Sequence, residues 1–346
     1  IEDQELAYST TYNMPAIATS LASVQGRWWK QDNVREDSQK AIFGEATWPI
    51  NEKTDFTVGL RAYKNEAIFD AKDGYMGYYT DHPTLSWAAG RTEKYSKDVS
   101  DIAPKINLAH KFNDDVLFYA TYSEGFRPSG TNRLNKKARE SGIVPATYDS
   151  DTLTNFEVGF KSTLANGKIV FNGNLHTMNW DDFQSTSYIY DLLTVAFVQN
   201  VGQATITGLE LESYFNISDS FNASLMLALT NPEFKEDIYD LQGVLSTPKG
   251  NQLAYVPTQQ FVMSMNKDFV IRNRDAYVSY DHSYTGESYQ SSANTDTNAS
   301  YSLANLRFGV NPSSKGSSDA DDLFGFLQNA SVELYLENVH DSDPTL

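Results

Sequence analysis

The sequence predicts an all-β protein, a transmembrane antiparallel up-and-down β-barrel, on three observations. Apolar and polar residues alternate with period 2 in segments about ten residues long. Short and long connections follow one another in strict succession, and aromatic residues gather at the segment ends. The 346 residues are 40% hydrophobic and 13% aromatic, too apolar for a disordered chain. Mean hydropathy is nevertheless negative, and no stretch approaches the ~18 to 20 consecutive apolar residues of a membrane-spanning helix. Any crossing must be made by strands.

The alternation is clearest in three segments. From Leu153, Thr154, Phe156, Val158 and Phe160 fall on one face, and Asn155, Glu157 and Lys161 on the other. From Ile169, the face of Ile169, Phe171, Gly173 and Leu175 opposes that of Val170, Asn172, Asn174 and His176. From Phe221, Phe221, Ala223, Leu225, Leu227 and Leu229 interleave with Asn222, Ser224, Met226, Ala228 and Thr230. One face suits lipid and the other water. Turns rich in Asn, Asp and Gly are expected at 51–55, 113–115, 165–168, 218–220 and 272–275. Between them lie long polar stretches at 64–101, 127–150, 185–196, 235–258 and 287–300, expected as extracellular loops on the opposite rim. Trp48, Tyr63, Tyr122, Phe126, Trp180, Phe183, Tyr214 and Phe234 stand at strand ends, where an aromatic girdle would meet the headgroups. Hairpin counting gives about twelve strands between Ala41 and Leu336, with one or two more in the first thirty residues. The large transporter barrels have about 22, so residues 1–346 are expected to form part of a single barrel domain, with its closing strands beyond Leu346. The first residues show no signal peptide.

Composition excludes several other functions. A net charge of −18 does not suit a nucleic-acid backbone, so no nucleic-acid partner is expected. The absence of cysteine removes thiolate metal sites, disulfides and cysteine nucleophiles. His82, His110, His176, His282 and His340 lack the spacing of a zinc site and are expected to be structural or solvent-exposed. Asp319, Asp321 and Asp322 lack the pattern of a calcium loop, and no phosphate loop, nucleotide fingerprint or catalytic triad is present. No catalytic residue, metal or cofactor is assigned.

Several stretches, in order, resemble the TonB-dependent outer-membrane receptors. They begin with Ala41-Ile42-Phe43-Gly44-Glu45 and Phe56 to Arg61, then Pro104-Lys105-Ile106. The most recognisable runs from Phe118 to Gly130 and includes Gly125-Phe126-Arg127-Pro128-Ser129-Gly130. Asn155 to Lys161, Met178 to Gln184 around Trp180, Asn200-Val201-Gly202-Gln203-Ala204, Gly208-Leu209-Glu210-Leu211-Glu212 and Leu334 to Asn338 follow. The motif residues Gly125, Phe126, Arg127, Pro128, Gly130, Trp180, Asn200, Gly202, Gly208, Glu210 and Asn338 are taken as architectural. Gly125 and Gly130 are expected to bend the chain where a strand leaves the membrane, and Glu210 and Glu212 to line the lumen. Residues 311–329, which should form a short periplasmic turn, are instead long and acidic.

The resemblance implies a bacterial outer-membrane receptor for the energised uptake of a scarce nutrient. A ferric siderophore or other iron complex is the first expectation, with oligosaccharide and cobalamin as the others. It implies outer-membrane lipid around the barrel, and a plug domain and energy-coupling segment outside residues 1–346. Through that segment the receptor would meet the TonB-ExbB-ExbD complex. Ligand contacts fall to the loops, whose Tyr75, Tyr78, Tyr79, Trp87, Tyr188, Tyr190, Tyr239, Tyr255 and Tyr289 offer aromatic platforms; the same loops leave room for an extracellular partner protein. The alternatives are a passive outer-membrane porin and a surface β-rich adhesin or carbohydrate-binding protein, whose apolar faces would pack on each other.

Overall fold

The computed structural model describes residues 2–13, 27–75, 91–134, 138, 141–189, 195–271, 274–311 and 331–340. They form one antiparallel sheet of 13 strands in which every neighbour in the sheet is also a neighbour in sequence. The strands are β1 (Glu2–Asn13), β2 (Arg27–Asn51), β3 (Thr54–Tyr75), β4 (Arg91–Lys111), β5 (Val116–Arg127), β6 (Asp151–Leu164) and β7 (Ile169–Asp181). They continue as β8 (Ala204–Ser218), β9 (Phe221–Phe234), β10 (Gln259–Ile271), β11 (Arg274–Thr285), β12 (Tyr301–Val310) and β13 (Val332–Leu336). This is the up-and-down order that the alternating connections predict.

Register turns the sequence alternation into two surfaces. Trp48, Phe56, Leu108, Ala120, Val158, Leu175, Leu209 and Leu229 are successive cross-strand partners from β2 to β9. One residue away, on the other face, Thr47, Thr57, Asn107, Thr121, Glu157, His176, Gly208 and Thr230 form the matching polar row. Because successive side chains of a strand point to opposite faces, a slip of one residue would exchange the rows. The apolar row is left uncovered: Trp48 is 53% exposed, Phe56's neighbour row contains Leu60 at 50%, and Leu175 is 57% exposed. An apolar wall of this extent is unsuited to water and suited to lipid. Among the described residues such faces are not buried against one another, as the soluble alternative would require.

The inner face is hydrogen-bonded across strands. Thr47 and Thr57 hydroxyls lie 2.8 Å apart, Asn107 Nδ2 donates to Thr121 Oγ1 at 2.7 Å, and Lys105 Nζ reaches Glu45 Oε2 at 2.8 Å. Three glycines on this face lie directly opposite a ring that occupies their missing side-chain space: Gly159 under Tyr119, Gly208 under His176 and Gly309 under Tyr277.

The short turns at 51–55, 113–115, 165–168 and 218–220 stand where Asn, Asp and Gly place them, and residues 272 and 273 of the turn expected at 272–275 lie outside the described residues. At 165–168, Ala165, Asn166 and Gly167 all take positive φ, at 53°, 56° and 84°, and the glycine carries the largest. The long connections differ from expectation. The stretch 64–101 is largely strand, paired from Lys64↔Ser100 to Asp73↔Arg91, so β2, β3 and β4 reach 25, 22 and 21 residues. Beyond the lipid both faces of a strand may be polar, and the hydropathy contrast that marks a strand disappears. The other four long connections each contain a short hairpin: 130–131 with 147–148, 184–189 with 195–200, 238–239 with 245–247, and 288–289 with 297–298. The expected acidic insertion lies mostly outside the described residues, as do His82, Tyr78, Tyr79, Trp87 and Tyr190.

The aromatic girdle is corrected in part. Trp48 and Tyr122 stand on outward rows, but Tyr63 is buried and stacks on Phe126 with centroids 3.6 Å apart. Trp180, Phe183 and Phe234 pack together with Ala204 and Leu253 beneath the outer loops. Their phase decides this: Trp180, Ala204 and Phe234 are cross-strand partners on the inner side.

Candidate functional site

The long connections fold together over the outer end of the sheet. Leu134, Ala138 and Val144 from 127–150 share a buried cluster with Ile189 and Phe197 of the 184–200 hairpin, and Leu241 of the next loop packs against it. Asn132 ties the first two loops by main chain: its Nδ2 donates to Val198 O at 2.7 Å, and Val198 N donates back to its Oδ1 at 2.7 Å. Further round, Asn294 Nδ2 donates to Gln252 O at 2.9 Å, Gln252 N donates to Asn294 Oδ1 at 2.6 Å, and Tyr255 N donates to Tyr289 O at 2.8 Å. The inner face of the extended β2–β4 segment joins this layer. Tyr63, Asn65, Ala67, Phe69 and Ala71 alternate as buried residues along β3, Arg35 Nε donates to Asp37 at 2.6 Å, and Lys97 pairs with Asp149. Burial works against the charge of Arg35, but Asp37 and Tyr148 outweigh it and hold its pKa above the ordinary value.

At the base of this layer lies a knot around Asp151, whose side chain is fully buried. Its Oδ1 accepts from Arg127 N at 3.2 Å and Arg127 Nε at 3.1 Å. Its Oδ2 accepts from Arg127 Nε at 2.9 Å, from Gln184 N at 2.9 Å, and from Arg127 Nη2. Arg127 Nη2 also donates to Gln184 O at 2.9 Å, while the guanidinium lies over the rings of Trp180 and Phe183 at 4.6 and 5.2 Å. Gln184 Nε2 donates to Pro128 O at 3.0 Å and Asp149 O at 2.9 Å, and Asn200 Nδ2 to Asp149 O at 3.0 Å and Asp182 O at 2.8 Å. A buried carboxylate is costly unless its lone pairs are filled, and here they are filled by a guanidinium fork and two main-chain amides.

Of the motif residues, Arg127, Pro128, Trp180 and Asn200 meet in this knot, and Gly202, at φ 43°, accepts from Phe183 N at 3.2 Å beside it. Phe126 stacks on Tyr63 one residue away. Gly125 lies within paired strand, which runs from Gly125↔Leu153 to Arg127↔Asp151, and Gly130 stands where the chain has left the large sheet for the 130–131 hairpin; neither has positive φ. Gly130 is instead required by contact, since the Tyr148 hydroxyl occupies the place of a Cβ. Gly208 and Glu210 lie on the inner wall, the first under His176, the second accepting from Asn174 Nδ2 at 2.9 Å; Glu212 likewise accepts from Asn172 Nδ2 at 3.1 Å. Asn338 lies apart, beyond β13, with φ 48° and its N–H on Asn305 Oδ1 at 3.1 Å. Asp151, Gln184, Asp149 and Asn132 were not legible as site residues. The one signal was an acidic residue at the start of the strand that pairs with Arg127.

A lipid-facing sheet of meandering strands, polar on its other face and overlaid by knitted outer loops, is the architecture of the wall of a bacterial outer-membrane β-barrel. The family model described as "TonB dependent receptor-like, beta-barrel" matches residues 4–339. The chain belongs to the TonB-dependent receptor family, whose members are outer-membrane transporters and not enzymes, and its place is the Gram-negative outer membrane. Among solved structures it is similar to the ferric yersiniabactin uptake receptor FyuA of Yersinia pestis, with TM-score 0.72, 16% identity and coverage of 98% of this chain and 45% of that one. It is also similar to the ferric-catecholate import receptor Fiu of E. coli K12, with TM-score 0.62, 14% identity and coverage of 91% and 42%. The siderophore receptor PiuA of Acinetobacter baumannii follows, with TM-score 0.58, 18% identity and coverage of 83% and 38%. The chain thus spans less than half the length of each of these structures.

Proposed function

We propose that this chain forms the outer loops and part of the barrel wall of a receptor that captures a ferric siderophore or similar iron complex and imports it with energy supplied through TonB. Family membership across residues 4–339 carries the reading. The iron chelate is supported by similar structures named as a ferric yersiniabactin uptake receptor, a siderophore receptor and a ferric-catecholate import receptor. The outer layer suits capture because exposed rings, Tyr188 at 57%, Tyr239 at 54% and Tyr255 at 70%, stand on a cross-braced base. Such rings offer faces to aryl or sugar groups at little conformational cost. The inner wall of hydrogen-bonded Asn, Thr, Glu and His side chains is a hydrated surface on which a plug can seat and a polar ligand can pass.

Growth and uptake in the host of the full-length protein test this. Under iron limitation, deletion should abolish growth on one ferric siderophore of a catecholate, hydroxamate and mixed-chelate panel, and a protonophore or loss of TonB should stop uptake of that chelate in the intact strain. Uptake that continues without TonB would mean a passive pore. Normal growth on every iron source, with lost uptake of cobalamin or an oligosaccharide, would keep the transporter and replace its cargo.

A further inference from the structure

The knot around Asp151 ties two outer loops together at their stems. Two connections leave the barrel here, 127–150 between β5 and β6 and 184–200 between β7 and β8, and each has two stems. Asp151, the returning stem of the first loop, binds the main-chain N–H of that loop's departing stem at Arg127 and of the second loop's departing stem at Gln184. Gln184 reaches back to Pro128 and Asp149, and Asn200, the returning stem of the second loop, binds Asp149 and Asp182. All four stems are therefore joined by three side chains around one fully buried carboxylate. Higher up, Asn132 and the cluster of Leu134, Val144, Ile189 and Phe197 join the loops again. Among the described residues the pair is thus tied at both base and waist.

We infer that Asp151 is a positioning residue that makes the described parts of the two loops, residues 127–134, 138 and 141–150 with 184–189 and 195–200, a single rigid body, so that they present their outer surfaces in a fixed relation to an arriving ligand. Ile143 and Tyr188 mark those surfaces: each is exposed, at 50% and 57%, and each adjoins a residue of the shared core, Val144 and Ile189. A ligand touching both meets a preformed platform and does not have to order two independent loops. The role in capture rests on the proposed receptor function; the rigid coupling does not.

Residues 1–346 contain no cysteine, so labels can be placed by design. In the full-length receptor in nanodiscs, with any cysteine elsewhere replaced, spin labels at Ile143→Cys and Tyr188→Cys should give one narrow distance distribution. Asp151→Asn puts an amide donor against Arg127 and Gln184, and should broaden the distribution about two-fold or more while protection of the β5–β8 amides from hydrogen exchange is kept. Arg127→Lys retains the charge but loses the fork, and should broaden it less. Lys97→Met, which removes only the pair with Asp149, should leave it unchanged. A broad distribution in the parent, or a narrow one in Asp151→Asn, overturns the coupling. Should Asp151→Asn unfold the strands, Arg127→Lys decides by the same criterion. None of these readings needs a ligand, so the coupling can fail or stand independently of the growth assay.

Discussion

His176 over Gly208 shows how one residue fixes its neighbour across the sheet. The ring lies where a side chain would leave residue 208, is held by Asn174 Oδ1 at 3.0 Å from Nδ1, and is buried at 8% exposure. Gly208→Ala forces the ring to move and should cost about 1 to 3 kcal/mol in urea unfolding of the reconstituted protein. The double variant His176→Ala/Gly208→Ala should recover part of that loss, because the overlap is gone; equal cost in the two backgrounds would mean that the ring is not the obstacle. Gly159 under Tyr119 follows the same rule, with the ring 2.7 Å from the place a Cβ would take and the hydroxyl donating to Glu157 at 2.5 Å. A surface ion pair behaves differently. Lys235 donates to Glu233 and holds its carboxyl below the ordinary carboxylate range. A lowered folded-state pKa gives stability that is present at neutral pH and lost as acid titrates the group through that lowered value. Both partners are about a third exposed, so the contribution is below ~1 kcal/mol. Lys235→Met should therefore shift the unfolding midpoint slightly at pH 7 and not at all well below the carboxylate range.

At the scale of elements, what was legible follows from what chain chemistry can announce locally. The turn at 165–168 was readable because Asn and Gly tolerate positive φ, and Gly167, at 84°, is the position where that tolerance is needed. Gly167→Ala should cost about 1 kcal/mol in the same unfolding measurement, although nothing lies near enough to clash. The strands inside the lipid were readable because their two faces meet different solvents. The extension of β2, β3 and β4 was not, since Lys64, Glu66 and Asp98 on its outer face look like loop residues and its buried face, Tyr63 to Ala71, is covered by residues far along the chain. Asp151 was missed for the same reason: its partners Arg127 and Gln184 lie 24 and 33 residues away, and only folding places them together. For Trp180 the sequence shows that a ring stands near a strand end, and only register shows which side of the sheet it takes.

For the whole molecule, the decisive property is the separation of the two rows that run from Trp48 to Leu229 and from Thr47 to Thr230. They are one residue apart in every strand between β2 and β9, so a comparison of neighbouring positions isolates the solvent each face meets. Leu175 stands mid-strand on the outward row, 57% exposed to whatever surrounds the barrel. Leu175→Arg adds a charge without removing a packed core, so in water the change would be almost neutral. In lipid it should cost about 2 to 4 kcal/mol, the amount a cation loses near the bilayer midplane. Thr230→Lys, on the inner row opposite Gly208, places the same charge on the hydrated side and should cost less than about 1 kcal/mol, because the ammonium remains solvated. Urea titration of the full-length protein in lipid vesicles reads both. A large loss for Leu175→Arg and a small one for Thr230→Lys identifies the apolar wall with the bilayer. Equal losses, or the reverse order, would mean that the Leu175 row packs against protein, and the orientation of the whole barrel would have to be inverted.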